Sequence, residues 1–546
     1  MKINTHIRKT AICVVVLLNS FFAIAQYNIV MNLTKNPATE MAFNWFTDAN
    51  TSCLQVRIVL NGVVIKTVPA VCITHTSTAY TSYIESKAIV TGLTPNTTYS
   101  FAIGAGSIWK NIGTFKTAPA PESKVPFSFI YVTDAHVEAS LQPQTNAANT
   151  TNPNANFWVH CGDVISDENG ALPTNKILEL WKKFFEFQPN QIEKKPLAPV
   201  IGNHDMLYNN LFKTHFNVQN ESFDLDGSTY SFIYGDAQFF AINTEKAYIG
   251  SLSTWMKAKI DNSVRWHIVC CHTPVYTSKY NGVYTPNMAD LFDELNIDLA
   301  LQGHTHVHDV MGPIKNRSVV QGAVKYVTST TATVNSNGKS GGLFNVQQGT
   351  MYFTNGTFGL KWMPESYTDT SATNTTHITG KWAADVKMGN GATGFTYSNI
   401  SVSSDNITIT TYKANGGVPE FLDEIKLVKR PCLPSTENPV SQTINNSTTW
   451  SSPTTISNNI VIPSGKTLTV KAKVTTSNCS VIIVKSGGEL IIDGANAILD
   501  GISVIAESGS TCTIQNDGKV LLGEFDDFDI QLGAELNLDE GEVLVK

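Results

Sequence analysis

The sequence predicts a multi-domain protein in which a small β-sandwich, a layered α/β domain and a β-solenoid follow one another along the chain. Three observations predict it. Short alternating strands give way near Pro126 to apolar strands interleaved with amphipathic helices. Five of those apolar strands end in Asp, Asn or His, which gathers polar side chains at one sheet edge. Toward the C-terminus, Gly465, Gly487, Gly509 and Gly533 recur at spacings of 22, 22 and 24 residues. A length of 546 residues fits about three or four folding units, and 42% hydrophobic residues against 15% charged ones supply several cores.

Residues 1–25 are expected to be a secretory signal peptide. Lys2, Arg8 and Lys9 form a basic start, Thr10 to Phe22 is mostly apolar, and Ala23-Ile24-Ala25 supplies a cleavage site before Gln26. Asn19 and Ser20 interrupt the apolar stretch, which falls short of the roughly 18 residues of an anchor, and no later stretch reads as a transmembrane segment. The product is therefore expected to be secreted, whether extracellular, periplasmic or at the cell surface. Its net charge of -7 becomes 35 - 45 = -10 once the three positive charges of the leader are lost. An acidic chain without a long Lys or Arg run excludes binding to a nucleic-acid scaffold.

Residues 26–119 read as the β-sandwich, with alternating strands such as Met41–Trp45 and Gln55–Val64. Gly92-Leu93-Thr94-Pro95-Asn96-Thr97-Thr98-Tyr99 is similar to the Leu-x-Pro-x-Thr-x-Tyr corner of fibronectin type III domains, in which the Tyr hydroxyl pins a strand corner. Cys53 and Cys72 could bridge here, although no cysteine spacing compels a disulfide framework. Ala118-Pro119-Ala120-Pro121 reads as a linker. The α/β domain covers 126–430, with strands Phe127–Thr133, Phe157–Cys161, Leu197–Ile201, Trp266–Cys271 and Leu299–Gln302. Helices are expected around Ile177–Phe185, Leu252–Ile260 and Met288–Leu295, and a hairpin over Gly394–Tyr412. Residues 431–450, rich in Pro, Ser, Thr and Asn, are a linker. Residues 451–546 form the solenoid. Each repeating glycine is followed at +3 by Leu468, Leu490, Cys512 and Leu536, and at +5 by Val470, Ile492, Ile514 and Leu538.

The chemistry lies in Thr133-Asp134-Ala135-His136, Cys161-Gly162-Asp163, Gly202-Asn203-His204-Asp205, Cys271-His272-Thr273-Pro274 and Gly303-His304-Thr305-His306. Carboxylates, an amide oxygen and imidazoles in this number suit two divalent ions sharing one carboxylate, a clamp for in-line displacement at phosphorus. The glycines permit the tight turns that a crowded cluster needs. In order and spacing the five blocks resemble the calcineurin-like metallophosphoesterases. The sandwich, Trp255-Met256-Lys257 and Cys271 to Tyr276 resemble the purple acid phosphatase-like branch in particular. The resemblance covers roughly residues 30–430 and implies an α/β four-layer sandwich and a phosphoric ester hydrolase of the acid phosphatase or phosphodiesterase type.

Carried over from the family, Asp134, His136, Asp163 and His306 bind a first metal; Asp163 bridges to a second, held with Asn203, His272 and His304. The resemblance implies a metal-bound hydroxide as nucleophile and His204 as general acid, with Asp205 or Asp167 orienting it. Tyr276 and His308 are expected to line the substrate pocket, and Tyr208, Asn209 and Asn210 to be near it. Two departures from the purple enzymes stand out. They have a Tyr three residues after the bridging Asp, where this chain has Ser166, and they lack a His at the position of His136. The expected cofactors are therefore two divalent ions such as Mn, Zn or Fe, without a ferric charge-transfer colour. The expected partner is a small phosphorylated substrate. The sparse arginines, Arg265 and Arg317 being nearest in sequence, tilt the expectation toward broad or diester specificity. The competing expectation is a surface adhesin with a non-catalytic phosphoesterase domain, and in either case the C-terminal domain could touch a cell surface or matrix.

Overall fold

The computed structural model describes residues 26–545 apart from 76–81, 138–140, 167–173, 187–194, 207–208, 219–227, 246–248, 278–281, 284, 321–323, 328–340, 348, 360–393, 416–417, 430–440, 477–479, 523–525 and 527. The expected signal peptide, Asp167, Tyr208 and residues 431–440 of the second linker thus lie outside the described residues, as do the side chains of Asn209 and Asn210; the rest of that linker carries the strands Ser441–Thr443 and Thr448–Trp450. Among the described residues no helix is long and apolar enough to cross a membrane.

Alternation builds the N-terminal domain. Phe43, Trp45, Val56, Ile58, Tyr99, Phe101 and Phe115 point inward from two facing sheets and are buried. One sheet orders Val63–Pro69, Gln55–Leu60, Thr98–Ala105 and Ile108–Lys116; the other contains Tyr27–Asn32, Met41–Asp48, Tyr83–Val90 and Val71–His75. The corner forms as expected: Thr94 N donates to the Tyr99 hydroxyl at 2.9 Å. Cys53 and Cys72 are disulfide-bonded, with their Cα atoms 5.9 Å apart.

The strands of the second domain are apolar on both faces because both faces are covered. Phe127, Phe129 and Tyr131 point into the space between two sheets, whereas Ile130 and Val132 pack outward on the helix Thr174–Glu186 through Ile177, Trp181 and Phe184. In the second sheet, Phe239, Ile268 and Leu299 point inward, and Phe240, Val269 and Ala300 meet the helices Ile249–Lys259 and Pro286–Leu295. The result is the four-layer α/β sandwich. The first sheet runs on into the N-terminal domain: its twelve strands include Phe127–Val132, Phe157–Cys161 and Leu197–Val200, then Tyr27–Asn32, joined where Asn32 pairs with Leu197. The hairpin Gly394–Val402 with Asn406–Asn415 extends the same sheet on the other side of Phe127–Val132.

The C-terminal domain consists of three parallel sheets of five strands each, and successive strands of the chain visit the three sheets in turn. The glycine spacing sets the register. Leu468, Leu490, Cys512 and Leu536 stand in one column, and Val470, Ile492, Ile514 and Leu538 in another. All four glycines have positive φ, and the amides of the first three each donate to the next glycine's carbonyl, as in Gly465 N to Gly487 O at 2.7 Å.

His215 ends the helix Asn209–His215 against Trp181, rings stacked 4.7 Å apart, with Nδ1 donating to Leu211 O at 2.8 Å. Burial pushes its pKa from 6.5 down to about 3. The unfolded chain binds this proton more readily, so the stability held above pH 6.5 is lost as pH falls toward 3, at about 1.4 kcal/mol per pH unit for this one group. Urea unfolding midpoints are expected to drop between pH 7 and pH 5, and His215→Phe to reduce that drop.

Candidate metal centre

Each donor sits just past a strand, on a turn that the sequence makes tight. Asp134, His136, Asp163, His304 and His306 all have left-handed backbones, with φ between 40° and 73°. Five such non-glycine residues in one cluster amount to strain concentrated at a site, held by its surroundings. The surroundings are identifiable. Asp134 N donates to Gly162 O and His136 N to Asp163 O, both at 3.0 Å. His304 N donates to Asp134 Oδ2 at 2.9 Å, and His204 N to Asp163 Oδ1 at 2.9 Å. Close approach requires glycine: a Cβ on Gly303 would stand 2.2 Å from Thr133 Oγ1 and 2.9 Å from Asp134 Oδ2, and one on Gly202 would stand 2.3 Å from Asp163 N.

The ligating atoms converge in two overlapping groups. In the first, His306 Nε2 lies 3.2 Å from Asp134 Oδ1 and 3.0 Å from His136 Nε2, which is 3.5 Å from Asp163 Oδ2. In the second, His272 Nε2 lies 3.2 Å from Asp163 Oδ2 and 3.0 Å from Asn203 Oδ1, and His304 Nδ1 lies 2.9 Å from the same Asn203 oxygen. Asp163 belongs to the second and touches the first through His136. Ligand bonds of about 2.0–2.2 Å place neighbouring donors roughly 3.0–3.5 Å apart around an ion, which is the spacing here.

The donor chemistry also fits a cation. The main-chain carbonyl of Cys161 is 2.8 Å from His272 Nδ1 and can only accept, so Nδ1 carries a proton and the neutral ring aims a lone pair from Nε2 at two further acceptors, Asp163 Oδ2 and Asn203 Oδ1. Without an ion the imidazole must be protonated. Accordingly, although burial opposes it, Asp163 and Asp134 hold the His272 pKa well above its usual value. Burial alone would raise Asp163, but the His272 charge and hydrogen bond bring it to about 2. Asp134, likewise opposed by burial, is held well below the carboxylate range by His306 and His136. A bound cation would take the place of those protons.

His204 stands beside this group, its Nε2 3.8 Å from Asp163 Oδ2 and its ring edge-on to His136 at 4.9 Å; its side chain is 16% exposed and so reaches the open side. The structure thus gathers Asp134, His136, Asp163, Asn203, His204, His272, His304 and His306. It does not gather the others. Asp205 was expected to orient the His204 ring, but its carboxylate accepts from Val164 N, Ile165 N and Gly202 N at 3.0–3.3 Å. It ties the Asp163 turn to the Asn203 turn, and burial lifts its pKa to about 7. Tyr276 is not in the pocket either: it is 1% exposed and packs on Tyr352 in the core under the second sheet's helices. His308 is buried too, bonded to Asp423 Oδ2 at 2.8 Å. Arg317 pairs with Asp290 on the surface, and Arg265 lies at the end of Trp266–Cys271 opposite His272.

Sequence reasoning missed the residues that brace the site. Gln302, fully buried, accepts from Val275 N at 2.6 Å and donates to Tyr276 O and Thr354 Oγ1, so it bolts the loop after His272 to the strand entering His304. Thr357 Oγ1 donates to Asp134 O at 2.7 Å, and Gly359 leaves no room for a Cβ against Ala135 O. A polar residue closing an apolar strand was the one signal for Gln302.

Two sheets flanked by helices, with carboxylate, amide and imidazole donors gathered at one sheet edge, define the metallophosphoesterase class. Residues 127–308 match the model of the calcineurin-like phosphoesterase family, and residues 27–117 match that of the purple acid phosphatase N-terminal domain. Two Mycobacterium tuberculosis proteins, the uncharacterized proteins MT2654 (strain CDC 1551 / Oshkosh) and Rv2577 (strain ATCC 25618 / H37Rv), are each 24% identical over 340 residues, or 52% of this chain. The match spans 61% of the length of these relatives. The fold is similar to that of purple acid phosphatase PPD1 from yellow lupin (Lupinus luteus) seeds, with a TM-score of 0.53 and 16% identity over 74% of this chain and 75% of that one.

Gly303→Ala is expected to push Thr133 and Asp134 apart and to cut metal occupancy several-fold at unchanged secondary structure, read by elemental analysis beside circular dichroism.

Proposed function

We propose that the protein is a secreted metal-dependent phosphoric ester hydrolase acting on small phosphate mono- or diesters. The observation that carries this is the complete donor set around Asp163, with His204 beside it. Asp134, His136, Asp163 and His306 would hold one divalent ion, and Asp163, Asn203, His272 and His304 a second. When bound, such a pair supplies Lewis acidity toward phosphoryl oxygens and a water ionised near neutral pH. His204, on the open side, donates a proton to the leaving oxygen. Cys161 O fixes the His272 tautomer, and the backbone amides of His204 and His304 hold the two carboxylates in place. Ser166 is the residue three after Asp163, so no phenolate is available there to colour a ferric ion.

Export is supported by the leader-like residues 1–25 and by the Cys53–Cys72 disulfide, a bond of oxidising compartments. The three parallel sheets, read as coils of a β-solenoid, serve as a spacer or surface contact without catalytic groups. The adhesin reading is disfavoured, since a purely binding role would not keep every donor in register.

Hydrolysis of an aryl phosphomonoester and an aryl phosphodiester, side by side, is expected to stop on chelation and return with manganese or zinc. Metal-loaded protein that turns over neither would refute the reading. His204→Ala is expected to lower kcat about 100-fold or more with metal content retained.

A further inference from the structure

Residues 197–217 carry Asn203, His204 and Asp205 between the strand Leu197–Val200 and the helix Asn209–His215. One side chain of the other domain holds both ends of this segment. Asn32, fully buried at the end of Tyr27–Asn32, donates from Nδ2 to Leu197 O at 3.0 Å and accepts at Oδ1 from Asn217 N at 2.9 Å. Two more amides repeat the grip. Asn44, also fully buried, donates from Nδ2 to Thr214 O at 3.2 Å and His215 O at 2.8 Å, two carbonyls of the helix's last turn. Asn217 Nδ2 donates back to Phe43 O at 3.1 Å and Ala88 O at 3.2 Å, on two sandwich strands. All six bonds cross between the domains, and such buried amides have no water to replace a lost partner. On its other side the segment meets Asp163 through His204 N, and Val164 N and Ile165 N through the Asp205 carboxylate.

We propose that the sandwich is a part of the metal centre's framework, with Asn32 and Asn44 as positioning residues that keep Asn203 and His204 in register with Asp163. The domain is then no independent spacer: it closes the loop that bears a donor of the second metal group and the proton donor. A segment anchored at one end only would let those side chains drift, and displacement of about 1 Å is enough to cost a reaction roughly 100-fold. Only the kinetic arm of this inference rests on the phosphoesterase reading.

The test uses the full chain with Asn32→Ala and, as an independent variant should that one fail to fold, Asn44→Ser. Amide hydrogen exchange is expected to quicken about tenfold or more across 202–206 and 209–216 while 127–132 and 266–271 stay protected. Zinc occupancy after dialysis at limiting metal is expected to fall from about two ions per chain toward one. On a substrate that the parent chain hydrolyses, kcat should drop about tenfold with KM nearly unchanged. Tyr99→Phe, which removes the sandwich's internal bond to Thr94, is the control for general loosening of that domain and should move none of the three. Asn32 and Asn44 variants that behave like Tyr99→Phe, losing thermal stability with exchange and zinc occupancy intact, would overturn the proposal. A parent chain without phosphoesterase turnover would refute the functional reading alone, because exchange and occupancy still report.

Discussion

Acceptor lone pairs aimed at one another are the constraint on which the rest of this molecule depends. His272 Nε2 lies 3.2 Å from Asp163 Oδ2 and 3.0 Å from Asn203 Oδ1, so a neutral ring turns its lone pair on two acceptors. Such a group repels itself unless positive charge enters, so the fold must hold it together against its own electrostatics. Much of the catalytic domain can be understood as the means of doing so. Left-handed turns aim the side chains, glycines let one turn sit inside another, and main-chain amides of neighbouring turns accept the load of the carboxylates. Strain of this kind persists only in a rigid frame, which two sheets packed through a shared aromatic core provide.

The bracing is organised across elements distant in sequence. Asp205 joins the turns after two neighbouring parallel strands, Gln302 joins two loops of the second sheet, and Thr357 reaches from the end of Thr350–Asn355 to Asp134 in the first. Each is a buried polar group bonded mainly to backbone, a pairing that fixes geometry. Asn32 and Asn44 belong to the same class of device, one domain further out.

The sequence announces what depends on pattern and leaves silent what depends on exact reach. The strands that end at the site edge and the gathering of Asp134, His136, Asp163, Asn203, His272, His304 and His306 were legible in periodicity and motif spacing, whereas the four layers were implied by the resemblance to metallophosphoesterases. The C-terminal register was legible for the same reason: a glycine that must turn, followed by apolar residues at +3 and +5, leaves one way to stack. Tyr276 and His308 were misjudged because nearness in sequence to a ligand says nothing of which side of a strand a residue faces; Tyr276 packs on Tyr352 and His308 bonds to Asp423, both in packed interior. Asp205 was misjudged because a carboxylate next to a histidine suggests a dyad, whereas main-chain amides three and forty residues away were the stronger claim on it. The asparagines at the domain seam have no motif at all, since any strand can carry one.

The glycine column of the C-terminal sheets has a consequence for how this chain can vary. Because each strand of these parallel sheets pairs with the strands one repeat before and after it, and because the amides of Gly465, Gly487 and Gly509 each meet the carbonyl of the next glycine, the contacts of one repeat are of the same kind as those of its neighbours. Duplication or loss of one whole unit, from one glycine to the next, leaves every remaining contact of the same type as before. The reach of this region is thereby a quantity that can be lengthened or shortened in whole steps, while the metal-binding half of the protein, where each residue has one place, admits no such change.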